Sequence, residues 1–132
     1  MVKKQLQRPH ILVLDHHKTT QSTLSSLFPE AIVSTVSHAS RAVDIASETK
    51  PDIIIMELSL AGHSGFEFLY EFRTYSDWTR VPVFIYSTLK VSERVQKSRA
   101  WNQLGIVRYL YKPETSLASL RSAIEKTGVF TI

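Results

Sequence analysis

Hydrophobic residues gather in five short, near-continuous runs: Ile11–Leu14, Ala31–Val33, Ile53–Met56, Val81–Tyr86 and Ile106–Leu110, each bounded by turn-forming or capping residues. A strand with one solvated face alternates apolar and polar positions, whereas runs like these are the pattern of strands covered on both faces. Between them, apolar residues recur at helical spacing: Leu24, Leu27 and Phe28; Ala39, Ala42, Val43 and Ala46; Phe68, Leu69 and Phe72; Val91 and Val95; Leu117, Leu120 and Ile124. The predicted order is (βα)5. Short connections and right-handed crossovers then give an α/β domain, a five-stranded parallel doubly wound sheet, for which 2-1-3-4-5 is a common strand order.

The length, 132 residues, suits one such domain; residues 10–132 are assigned to it, preceded by an N-terminal extension over residues 1–9. The chain has no cysteine, which removes disulfide frameworks, zinc ribbons and thiol catalysis. No apolar run approaches the roughly 20 residues that cross a bilayer, so a cytoplasmic protein without membrane contact is expected. Sixteen Lys and Arg against twelve Asp and Glu leave a net charge of +4. That excess is spread along the chain and suits an acidic partner better than nucleic acid.

Ligands of open parallel sheets bind beyond the carboxyl ends of the strands, where the strand order reverses. Those ends carry Asp15-His16-His17 after the first run, Glu57 after the third, Ser87-Thr88 after the fourth and Lys112-Pro113 after the fifth. Any one of them reads equally as a polar residue leaving the core. Together they place two carboxylates, hydroxyls and an ammonium at one crevice. No glycine lies between Asp15 and Thr20, which argues against a phosphate-cradling loop and so against a small-ligand binder of the flavodoxin type.

These pieces resemble the receiver domain of two-component response regulators. The resemblance runs from about His10 to Lys126 and rests on the segments His10–Asp15, Pro51–Met56 with Gly65 beyond it, Val81–Ser87, and Gly105 through Tyr109 to Lys112-Pro113. It implies a CheY-like fold and a signalling module, not an enzyme. In the family an aspartate after strand 3 accepts a phosphoryl group from a histidine kinase, two acidic residues after strand 1 help to hold Mg²⁺, and a hydroxyl and a lysine grip the phosphoryl oxygens. By this resemblance Asp15 takes the first acidic position, Ser87 the hydroxyl, Lys112 the lysine, and Tyr109 the aromatic that reports the state to a partner. The phosphoacceptor position is Glu57 and the second acidic position is His16. Ala61 replaces a usual proline and Thr88 a usual small residue, and the Ser87–Lys112 stretch is longer than typical by about one helical turn.

The two central departures have physical consequences. Asp15, Glu57 and Lys112 leave the pocket near a formal charge of about −1 where a family pocket is near −2, and imidazole is a poor ligand for Mg²⁺. Only weak Mg²⁺ binding is expected, at Asp15 and Glu57, and no other cofactor. Glutamate is longer than aspartate by roughly 1.5 Å, which misplaces a phosphoacceptor but lets the carboxylate reach Lys112 and Ser87. The expected pocket is an internal ion pair. The competing reading keeps a working phosphoacceptor, at Glu57 or Asp15 with Mg²⁺. A transition-metal site at His16 and His17 is not expected, because adjacent residues rarely point the same way; His10, His38 and His63 lie elsewhere in the chain.

Lys90, Arg94 and Lys97 fall at i, i+4 and i+7, a predicted basic stripe on the fourth helix, with Arg108 entering the fifth strand. A solvated helix face accounts for such a stripe by default. In the family, helix 4, strand 5 and helix 5 form the output and dimerisation face, so a signalling protein partner or a homodimer is implied there. No nucleic acid contact is implied. Of the aromatic residues between Phe66 and Trp78, Phe68 and Phe72 are expected in the core, and Tyr75 and Trp78 to pack beside it.

Overall fold

The structure, a computed structural model, describes residues 8–60 and 63–130. The position of Ala61 and most of the N-terminal extension lie outside these residues. The apolar runs become β1 (His10–Leu14), β2 (Ile32–Val36) and β3 (Ile53–Met56); a two-residue hairpin follows, β4 (Ser59–Leu60) and β5 (His63–Ser64), and then β6 (Val83–Ser87) and β7 (Ile106–Tyr111). Helices α1 (Lys18–Leu27), α2 (Ala39–Glu48), α3 (Gly65–Phe72), α4 (Glu93–Gln96), α5 (Arg99–Gln103) and α6 (Leu117–Glu125) connect or follow them. The main sheet is parallel throughout, with order β2-β1-β3-β6-β7, the predicted topology. No helix among the described residues is long and apolar enough to cross a membrane.

Side chains of successive strand residues point to opposite faces, and both faces are covered, which explains the near-continuous runs. Leu12, Leu14, Ile54, Met56, Val83 and Ile85 pack on one face with α2, α3 and α5 residues such as Ala42, Phe68, Phe72 and Trp101. Ile11, Val13, Ile53, Ile55 and Phe84 pack on the other with Leu24 and Phe28 of the α1 region and Leu120 and Ile124 of α6. β2 lies at the sheet edge and runs through Ser34 and Thr35 to Val36, beyond its apolar start, because an edge strand keeps part of its surface wet. Trp78 is buried and stacks on Phe72 with ring centroids 4.7 Å apart, while Tyr75 covers it from outside at 4.5 Å.

The predicted fourth helix is two short ones. Ser98 causes the break: its hydroxyl donates to the Val95 carbonyl at 2.6 Å and accepts from the Trp101 amide at 3.2 Å, ending α4 and capping α5. Serine competes for backbone groups in this way wherever it sits inside a helical pattern. The basic stripe therefore does not run along one helix face. Lys90 lies in the preceding loop with its ammonium 5.6 Å from the Tyr111 ring, Arg94 is in α4, and Lys97 is the C-cap of α4.

Two contacts fix how the helices meet the sheet. A Cβ on Gly65 would lie 2.8 Å from Met56 Cε and 2.9 Å from the Glu57 carbonyl, so only glycine lets α3 start this close to the end of β3. Arg73, just past α3, donates to the carbonyls of Leu104, Trp78, Val81 and Gly105. Burial lowers the pKa of this guanidinium, yet it stays charged at any physiological pH.

Candidate functional site

Parallel pairing in register, with Leu14 opposite Met56 and Met56 opposite Ile85, brings the carboxyl ends of β1, β3 and β6 level. Asp15, Glu57 and Ser87 stand there, and all three are buried. Lys112, the first residue after β7, reaches across the crevice from the far side. Its ammonium lies 2.8 Å from Asp15 Oδ2 and 3.2 Å from Glu57 Oε1, with 14% of its side chain exposed. It also lies 5.2 Å from the Tyr86 ring centroid and 3.5 Å from the Thr20 hydroxyl.

The Glu57 carboxylate is fully enclosed and surrounded by donors. Oε2 accepts a very short hydrogen bond from the Ser87 hydroxyl and one of 3.1 Å from the Ser59 amide. Oε1 accepts from the Thr88 amide at 3.0 Å, the Thr88 hydroxyl at 3.2 Å and Lys112. The extra methylene of glutamate is what carries the carboxylate this far. Burial pushes its pKa up, but the Ser87 hydroxyl, the Thr88 and Ser59 amides and the Lys112 charge together outweigh burial and hold it below its ordinary value.

A carboxyl with a depressed pKa in the folded state contributes stability that is present above its unfolded value, about 4.3, and is lost as pH falls through the folded value. The expected result is a urea midpoint for the wild type that drops more steeply on acidification from about pH 6 to about pH 3 than that of Glu57→Gln. Parallel curves for the two proteins would mean that the carboxylate contributes no such linkage.

Asp15 is held from its other side. Its Oδ1 accepts from the His17 amide at 2.8 Å and lies 2.9 Å from His17 Nδ1, and its carbonyl accepts from Gln21 Nε2 at 2.7 Å. Thr20 and Gln21 are therefore residues around the pocket that sequence reading missed, and His17, which it placed at the strand end without a role, holds Asp15. His16, placed in the pocket by its position, makes no hydrogen bond to either carboxylate. Its partly buried ring lies against that of His17, with centroids 4.1 Å apart and planes tilted by 33°.

A continuous hydrogen-bond path leaves the pocket toward β7. The Leu89 amide donates to Ser87 Oγ at 2.9 Å, and the Tyr109 hydroxyl donates to the Leu89 carbonyl at 2.7 Å while accepting from the Val91 amide at 3.0 Å. Tyr109 also meets Trp101 edge-on, 6.1 Å between centroids. The aromatic residue is thus tied through the 88–91 loop to the same hydroxyl that holds Glu57. Lys90, Arg94, Lys97 and Arg108 lie outside the pocket and are exposed, as are Leu89, Val95 and Val107; Lys97 pairs with Glu93 at 3.8 Å, and Arg108 stands beside Ser119 and Ser122 of α6.

The donor set does not fit Mg²⁺, the ion that receiver domains typically hold at their acidic site. That ion needs near-octahedral oxygen ligands and keeps several waters. Here each carboxylate oxygen of Asp15 and Glu57 already faces one or more donors, and the Lys112 ammonium sits between the two groups.

Comparison with known proteins agrees with this architecture. No curated protein sequence matches the chain. Among solved structures, the chemotaxis protein CheY4 of Vibrio cholerae superposes with a TM-score of 0.79 at 20% identity, covering 91% of this chain and 98% of that one. The non-phosphorylated HemR receiver domain of Leptospira biflexa gives 0.78 at 18% identity over 95% and 96% of the two chains. The Mn²⁺-bound form of response regulator Rcp1 gives 0.75 at 19% identity over 94% and 96%. At such identities the likeness speaks for the fold alone. Residues 11–125 match the family described as response regulator receiver domain, and the chain belongs to that family.

Proposed function

We propose that this receiver domain acts in signal transduction by protein–protein contact, independently of phosphorylation. One observation carries the reading: the Glu57 carboxylate is enclosed by Ser87 and Lys112, the groups that by the family resemblance would grip phosphoryl oxygens, and by Thr88 beside them. Its negative charge stands in for that group. A phosphodonor then has no free acceptor, and a donor without differential affinity for two states shifts nothing. The path from Ser87 through Leu89 to Tyr109 carries the filled pocket to the surface of α4, α5 and β7.

That surface presents exposed Lys90, Arg94, Leu89, Val95 and Val107, with Lys97 paired to Glu93, and Arg108 extends it on the α6 side. Apolar area with a cationic rim suits an acidic protein, a kinase or an output partner, better than a second copy of the same basic face. Mg²⁺ binding weaker than millimolar belongs to the same reading, in contrast to the neighbour solved with Mn²⁺.

The test is incubation with a small phosphodonor and Mg²⁺, read by intact mass and by affinity for a captured partner. The mass should stay unchanged and partner affinity should not move, whereas charge reversal at Arg94 or Lys97 should weaken binding, less so as salt rises. A phosphoryl adduct at Glu57 or Asp15, or a phosphodonor effect on affinity above about tenfold, would favour the working phosphoacceptor instead.

A further inference from the structure

We propose that Asp15, His16 and His17 form a binding site for a divalent first-row transition ion, separate in chemistry from the oxygen-ligand site of receiver domains. Three observations converge. The ligand atoms of these consecutive residues lie within 4.8 Å of one another. The two imidazoles, which as sequence neighbours would ordinarily diverge, lie 4.1 Å apart at an interplanar angle of 33° and share one side of the turn. Among the described residues, His16 Nδ1 is the buried side-chain polar atom without a hydrogen-bond partner.

An orphaned buried nitrogen carries a desolvation penalty that a metal bond offsets. His17 Nδ1 already faces Asp15 Oδ1 at 2.9 Å, so an ion can take the place of the proton between them. A tetrahedral ion with bonds near 2.1 Å needs ligand atoms about 3.4 Å apart, which side-chain rotation of two partly exposed rings supplies. Two imidazoles with one carboxylate favour Zn²⁺, Co²⁺, Ni²⁺ or Cu²⁺ over Mg²⁺, since imidazole is a borderline ligand and Mg²⁺ demands hard oxygens. Three protein ligands leave an open position for water or a partner's side chain.

The carboxylate is preorganised. Asp15 Oδ2 stays on Lys112 at 2.8 Å while Oδ1 turns to the ion, and the Gln21 amide holds the Asp15 carbonyl. The metal therefore enters without breaking the bonds around Glu57, and the site does not depend on how the pocket signals.

The experiment is calorimetric titration of the untagged protein with Zn²⁺ in a weakly coordinating buffer near neutral pH, with Co²⁺ absorption as a second readout of ligand geometry. One saturable site is expected, undisturbed by a large excess of Mg²⁺. His16→Ala and His17→Ala should each weaken it by about tenfold or more in metal-free proteins that still melt cooperatively, while His38→Ala leaves it intact. Absence of saturable Zn²⁺ binding, or binding that both His16→Ala and His17→Ala leave unchanged, would overturn the site. Displacement of Zn²⁺ by Mg²⁺ would overturn it as well, by placing the ion on carboxylates alone.

Discussion

Lys112→Ala should destabilise the protein by about 3–5 kcal/mol, the range for removing one partner of a buried ion pair. The residue left behind is not one charge but two: Asp15 and Glu57 are both buried, and Lys112 is the cation between them. For a domain of this size the loss corresponds to a melting temperature lower by roughly 10–20 °C. Adding Glu57→Gln removes one of the stranded charges and should recover part of the loss. Asp15 keeps the His17 amide but stays buried without its cation, so recovery stays incomplete. Thermal melts of the two single variants and the double variant form the cycle. Additive losses would show that Glu57 and Lys112 do not interact.

Arg73→Ala should lower stability by about 3 kcal/mol, because a charged donor that satisfies several carbonyls is worth more than a neutral hydrogen bond and its loss leaves acceptors unpaired. The guanidinium ties the end of α3 to the 78–81 segment and to the turn from α5 into β7. Arg73→Lys should recover less than half of that loss, since one ammonium cannot reproduce a planar fork with separate donors. Urea midpoints decide the matter. Wild-type stability in Arg73→Lys would show that charge alone suffices and that the fork geometry is idle.

The strand runs and their order were legible because both faces of a parallel sheet are apolar, so the pattern marks each strand without knowledge of its partners. Asp15, Glu57, Ser87 and Lys112 were legible for a related reason: a strand's carboxyl end is fixed by where its apolar run stops. What the pattern hides is backbone direction within turns. Whether His16 or His17 faces Asp15 depends on the dihedral angles entering α1, and no periodicity reports those. The split at Ser98 was hidden for another reason. A serine inside a helical pattern reads as a surface position until its hydroxyl is seen to take the Val95 carbonyl and the Trp101 amide. The β4–β5 hairpin, two residues a side, is too short to leave a periodic trace.

The bonds around Glu57 also bear on time. Lys112 lies 97 residues from Asp15 and 55 from Glu57 along the chain, and Thr88 lies 31 from Glu57. Contacts of that separation need β1, β3, β6 and β7 already in place, so the expected transition state lacks them, and chevron analysis of Lys112→Ala, with φ of about 0, is the check. Interactions formed after the barrier leave the refolding rate alone and slow unfolding. The pocket is then a latch on the lifetime of the native state: losing about 3–5 kcal/mol there shortens that lifetime by roughly 10²- to 5 × 10³-fold, while the chain still folds at nearly its original speed.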